Sequence, residues 1–171
     1  MLSKHEIEEL IKGENLIEGY FSLDKQLTQN GFDLTVEKIF EFTGRGAVDF
    51  SNRERALPEC REMMPEKGAP EDPFGWWHLK KGAYKVRTNE TVNIPNDLMG
   101  FAFTRTTLLR AGAFTQNGIW DAGFCGKSEF LLVVENPQGL DLKQNARVLQ
   151  LAFSRISEVA QGYSGIYKDL K

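Results

Sequence analysis

Tyr84-Lys85-Val86-Arg87-Thr88-Asn89-Glu90-Thr91-Val92-Asn93-Ile94 alternates apolar with polar side chains at both ends, through Tyr84 and Val86 and again through Val92 and Ile94. A repeat of two puts successive side chains on opposite faces of an extended chain, so the stretch predicts a half-buried β-strand. The same period runs through Phe32, Leu34 and Val36. Phe130-Leu131-Leu132-Val133-Val134 and Val148-Leu149-Gln150-Leu151-Ala152-Phe153 are apolar enough to predict strands buried on both faces. Turn residues recur between these runs, at Gly31, Gly44-Arg45-Gly46, Gly82, Pro95-Asn96-Asp97 and Asn136-Pro137. Short strands punctuated in this way predict an all-β sandwich or barrel, which we read as a distorted jelly roll. A short N-terminal helix precedes it: Ser3 and Glu6 have capping-box spacing, Ile7, Leu10 and Ile11 follow at helical intervals, and Gly13 can end the turn. The stretch from Pro58 to Pro73 has no period of its own and is expected to be a long loop. Trp76 and Trp77 are expected in the core or at a subunit interface rather than as a platform for stacked bases.

A chain of 171 residues with 41% apolar content is long enough to bury one core, so residues 1–171 are expected to form a single domain. No apolar run approaches the roughly 20 residues that cross a bilayer, and Met1-Leu2-Ser3-Lys4-His5-Glu6 has no leader character. A cytoplasmic protein is expected. Cys60 and Cys125 lie far apart with only two histidines in the chain, which supports neither a zinc site nor a disulfide framework. The net charge is −3 and the basic residues are scattered, which argues against polymeric nucleic acid as a partner. A few arginines converging in one cleft can still hold a small anion, because local field outweighs total charge.

The chemistry concentrates in Gly118-Ile119-Trp120-Asp121-Ala122-Gly123-Phe124-Cys125-Gly126. Glycine permits tight turns and close backbone approach, so the segment is expected to turn main-chain N–H and C=O groups toward a ligand while Asp121 projects at it. Upstream, Arg105-Thr106-Thr107-Leu108-Leu109-Arg110 supplies guanidinium groups and hydroxyls suited to phosphate oxygens. The competing reading of Asp121 is a turn residue that caps backbone N–H groups.

Arg105-Thr106-Thr107-Leu108, Arg110, Gly112, the Gly118–Gly126 segment and Arg147-Val148-Leu149-Gln150-Leu151 resemble, in order and spacing, the superfamily that unites trimeric dUTP diphosphatases with dCTP deaminases. Gly31-Phe32-Asp33-Leu34 and Thr88 to Pro95 extend the resemblance to about residues 1 to 168. It implies a dUTPase-like jelly roll, a homotrimer with sites at subunit interfaces, and a deoxynucleoside triphosphate (dUTP) as substrate. Asp121 is then the catalytic group that activates a water; Arg105, Thr106, Arg110 and Gln150 are phosphate ligands, with Thr106 in place of the usual Ser. Phe124 lies under the deoxyribose, Asn117, Gly118 and Ile119 read the base, and Lys168 in the closing segment Tyr163 to Lys168 is available to a terminal phosphate. Mg²⁺ comes with the triphosphate, and Asp33 is its water-mediated partner. Structural alternatives stand beside these roles: Asp33 as a buried strand residue, Asn117 as a turn residue, Phe124 as core, the last segment as a frayed end.

The two branches differ at one position. Deaminases of the superfamily carry a glutamate ten residues after the motif aspartate, and here that position is Leu131, or Val133 if two residues are inserted. Neither transfers a proton. Glu129 shares a strand face with Leu131 but lies about 7 Å along it. Asp121 follows Gly112 by nine positions, as in dUTP diphosphatases, so the resemblance favours an archaeal-type dUTPase, with a dCTP deaminase or bifunctional enzyme and a silent nucleotide-binding jelly roll as alternatives.

Overall fold

The computed structural model describes residues 1–170. Its first element, α1 (Lys4–Glu14), opens with the expected capping box: the Glu6 carboxylate accepts from the Ser3 N–H at 2.8 Å and Ser3 Oγ accepts from the Glu6 N–H at 3.5 Å. Gly13 does not end this helix. Asn15 closes it in the left-handed conformation at φ +54°, donating its N–H to the Leu10 carbonyl, a role that Asn takes next after Gly. Ile7 and Ile11 point into the core.

The main sheet is ordered β7 (Leu98–Thr104), β11 (Arg147–Arg155), β3 (Gly31–Phe42), β6 (Gly82–Asn93), β9 (Cys125–Val134), β8 (Ala113–Gln116), all antiparallel. Short strands β1 (Ile17–Glu18) and β2 (Leu27–Thr28) add to β6 and β3. The end strands approach each other. Thr104 Oγ1 accepts the Thr115 N–H at 2.9 Å, and Gly100 and Trp120 exchange backbone bonds at 2.8 and 2.9 Å. The sheet thereby nearly closes into the distorted jelly-roll barrel that the alternation predicts. No helix among the described residues is long and apolar enough to cross a membrane.

In β6 the inward file is Tyr84, Val86, Thr88, Glu90 and Val92. A glutamate in that file is tolerated because its oxygens accept three hydrogen bonds: from Gln26 Nε2 at 2.7 Å, Thr35 Oγ1 at 2.7 Å and the Thr35 N–H at 2.9 Å. Burial pushes the Glu90 carboxyl above its usual range, and the bonds from Thr35 and Gln26 pull it partly back. The Gln26 amide, in α2 (Leu23–Gln26), also donates to the Asp33 carbonyl at 3.0 Å.

Two further expectations are corrected. Strand β9 is not buried on both faces: Phe130, Leu132 and Val134 face the core, while Leu131 and Val133 are half-buried on the outer face. The stretch from Pro58 is not all loop. Within it β4 (Cys60–Met63) pairs with β3, a strand too short and charged to show a period of its own. Between β3 and β4 the chain projects an arm, held by a bridge between Ala47 and Ala56. Strand β5 (Trp76–Leu79) pairs with β10 (Leu140–Lys143) in a separate ribbon. Trp77 is core, donating to the Met63 carbonyl at 2.7 Å, whereas Trp76 is exposed beneath Lys143.

Candidate active site

The Gly118–Gly126 segment connects β8 to β9 and is anchored by its tryptophan. Trp120 is buried, bridges to Gly100 through its backbone and donates its indole N–H to Ser128 Oγ at 2.7 Å. With that neighbour fixed, Asp121 stands exposed on the wall of a cavity of about 820 Å³. Its carboxylate has no hydrogen-bond or ion-pair partner among the described residues, so the reading of Asp121 as a backbone cap fails; only its main-chain carbonyl is used, accepting the Phe124 N–H at 3.0 Å. Asn117, Gly118, Ile119 and Phe124 line the same cavity. The Asn117 amide donates to the Gly118 carbonyl at 3.1 Å and so shapes the turn itself.

The glycines divide into two kinds. Gly118 faces open space. Gly123 (φ +80°) and Gly126 (φ +141°) instead admit the chain's own tail: a Cβ at Gly123 would meet Gly162 Cα at 2.6 Å, and one at Gly126 would meet Leu170 N at 2.9 Å. The tail is tied there by Tyr163 N–H to Ala122 C=O at 2.8 Å, Asp169 N–H to Cys125 C=O at 2.7 Å and Lys127 N–H to Leu170 C=O at 2.8 Å. Tyr163 packs on Phe124, ring centroids 5.7 Å apart, and both line the cavity. The last segment is therefore bonded to the hairpin rather than frayed, but Lys168 is exposed and does not line the cavity.

The cavity floor is the outer face of β6 and β9. Glu129 is held there from both sides, by Arg87 Nε and Nη2 at 3.0 and 2.9 Å on one oxygen and by Lys85 Nζ at 3.0 Å on the other. Leu131 lines the same floor with no ionisable atom.

None of the expected phosphate ligands lines this cavity. Arg105 and Gln150 form a second cluster around Asp33, at the junction of β3, β11 and β7. Asp33 Oδ2 is 2.9 Å from Arg105 Nε and 3.3 Å from Arg147 Nη1, and Arg105 Nη1 also donates to the Arg147 carbonyl at 3.3 Å. Gln150 stands opposite Asp33 in the β3–β11 register and donates to Thr28 Oγ1. Burial raises the Asp33 carboxyl above its ordinary range, opposed by Arg105 and then Arg147. Thr106 and Arg110 are exposed at the two ends of the one-turn helix α3 (Thr106–Arg110). Arg147 belonged to a recognised motif, but only the structure gives it this contact. The buried Glu90 network gave no sequence signal beyond a glutamate in an apolar file.

The residues do not fit a magnesium site built by the protein. Asp33 is buried and committed to two guanidinium groups, and no cluster of three or more His, Cys, Asp or Glu among the described residues could hold a metal ion. An ion would have to travel on a triphosphate, whose oxygens suit it.

A profile described as dCTP deaminase-like matches residues 1–156. The chain belongs to that family. A probable deoxyuridine 5'-triphosphate nucleotidohydrolase of Archaeoglobus fulgidus is 42% identical over 98% of this chain and 95% of its own. One of Methanosarcina mazei is 43% identical over 99% and 96%. Among solved structures, the 2'-deoxycytidine 5'-triphosphate deaminase from Agrobacterium tumefaciens shares the fold at a TM-score of 0.61 and 19% identity, over 91% of this chain. This chain spans about half of that one (48%). Its likeness to the two archaeal relatives is thus close to end to end.

Proposed function

We infer that the protein hydrolyses dUTP to dUMP and pyrophosphate. The observation that carries this reading is the unpartnered carboxylate of Asp121 on the cavity wall next to Phe124, in a chain whose archaeal relatives are named for that reaction. Asp121 takes a proton from a water; the water oxygen bonds to the α-phosphorus, and the bond from that phosphorus to the α,β-bridging oxygen breaks. Pyrophosphate leaves with the bridging oxygen and its electron pair. Phe124 packs against the deoxyribose and leaves a 2′-hydroxyl no partner. The turn at Asn117, Gly118 and Ile119 takes the uracil edge, while Arg105, Thr106, Arg110, Gln150 and Lys168 neutralise the triphosphate.

The separation of Arg105 and Gln150 from the Asp121 cavity supports a site shared between copies, in a homotrimer with one site at each boundary. The free thiols of Cys60 and Cys125 agree with a cytoplasmic setting. Deamination of dCTP is disfavoured because Glu129 is committed to Arg87 and Lys85. One assay panel decides: with Mg²⁺, dUTP should release pyrophosphate and dCTP no ammonia. Ammonia from dCTP would make the protein a deaminase, and inertness toward both would make it a binder.

A further inference from the structure

The arm between β3 and β4 is an ordered protrusion with an apolar tip. Its two sides are clamped by reciprocal backbone bonds between Ala47 and Ala56, at 2.8 and 2.9 Å. At the tip the Asp49 carboxylate accepts from the N–H groups of Ser51, Arg53 and Glu54 at 3.0 to 3.2 Å, with Asn52 in the left-handed conformation. This fixes the turn before anything binds, and it displays Val48 at 91% exposure and Phe50 at 106%. A rigid aromatic held wholly in solvent gains nothing from its own fold. Displayed in this way, it has the character of an interface anchor.

Elsewhere on the chain lies a groove of about 440 Å³ between β7 and β8. Phe101, Phe103, Thr115 and Ile119 are among its walls, and no charged side chain lines it. Phe103 is 61% exposed and Ile119 57%. Its position is informative. Thr104 in the groove immediately precedes Arg105 of the Asp33 cluster, and Asn117 to Ile119 are also a wall of the Asp121 cavity. The groove therefore joins the two half-sites of one chain.

We propose that Phe50 and Val48 of one chain insert into the β7–β8 groove of a second copy. Protrusion and groove have no residue in common, so the contact is head-to-tail, the kind that closes into a ring. The same arm lines its own cavity through Leu57 and Pro58, so each arm would tie one chain's cavity to its neighbour's boundary. This rests on the shared-site reading and adds the contact that builds it.

The test uses the full chain. Phe50→Asp should weaken association roughly thirtyfold or more, as expected for loss of an anchor worth about 2 kcal/mol. Light scattering should then show monomers where the parent is trimeric. Circular dichroism should be unchanged because Phe50 packs on nothing, and dUTP turnover per subunit should fall on dilution and return at high concentration. In a background with Cys60 and Cys125 replaced by Ser, mixed Phe50→Cys and Phe103→Cys chains should form an inter-chain disulfide that neither forms alone. A Phe50→Asp trimer of parental strength, or no disulfide in the mixed trimer, overturns the docking while leaving the shared site intact. A parent that is an active monomer overturns both.

Discussion

The Asp33 cluster and the Asp121 cavity treat their charges in opposite ways. Around Asp33 each strong charge is answered within the chain: two guanidinium groups converge on one buried carboxylate, and Gln26 and Glu90 brace the strand beneath it. Around Asp121 the carboxylate is left unanswered on a wall shared with aromatic and glycine residues. A paired cluster is stable as it stands and can hold arginines ready for an anion. An unpaired carboxylate contributes nothing to folding and is left to meet something not yet bound. The chain thus separates a carboxylate left without a partner from charges that are paired within the fold.

The sharpest way to break this comparison is Asp121→Asn. The change preserves shape and touches no internal bond, so thermal stability should stay put while turnover of dUTP falls by about 10²–10⁴, with nucleotide still bound in calorimetry. Unchanged turnover would assign the water to another group. Arg105→Ala should act differently: activity is lost and stability drops as well, by about 1–3 kcal/mol in urea titrations, because Asp33 stays buried with only Arg147 beside it. Mixed by co-refolding, the two inactive variants should recover part of the parental activity if each boundary draws Asp121 from one copy and Arg105 from the other. A trimer without recovery would put both in one copy's contribution.

Next in size is Glu90→Gln, which probes the bracing alone. An amide in that pocket must turn an N–H toward the Thr35 N–H or toward the Gln26 amide, both donors, so a loss of about 1–3 kcal/mol is expected. The pH dependence is a second readout. Because burial raises the Glu90 carboxyl in the folded state, its stabilising contribution is full below the unfolded value of about 4.3 and is lost as pH rises through the folded value. Urea midpoints of the parent should carry that decline, and the Gln variant should flatten it. A variant with the parental slope would show that Glu90 titrates as it does in the unfolded chain.

The smallest effect is expected outside both regions. His78 on the β5–β10 ribbon has its pKa raised by the Asp141 carboxylate 2.6 Å away. The contact stabilises below about pH 6.5 and is lost as pH rises through the folded value. Both partners are exposed, so His78→Asn should leave dUTP turnover untouched and move the melting temperature by no more than about a degree at pH 6. A larger shift would mean that the ribbon is coupled to the barrel.

The barrel was legible because an alternating strand declares its period, as 84–94 does, and because a capping box declares a helix start. Strand β4 was not, since four residues paired to a long neighbour need no period of their own. The cavity side of the site was legible from glycine spacing around Asp121, yet the reason for two of those glycines was misread: Gly123 and Gly126 make room for residues some forty positions later, a contact invisible in local sequence. Arg105 and Asp121 are near in sequence only: Arg105 turns to Asp33 and does not line the cavity that Asp121 borders. Glu90 was invisible for a related reason, because its partners Gln26 and Thr35 lie more than fifty residues away.

The tail that crosses Gly123 and Gly126 has a kinetic consequence. Three backbone bonds join it to the segment that carries Asp121, and one of them uses an amide of β9 itself. Amide protons of Tyr163, Asp169 and Lys127 can therefore reach solvent only when tail and hairpin part, and the three should exchange with deuterium as one group. The rate of that exchange is a clock for how often the turn that carries Asp121 is released from its own chain.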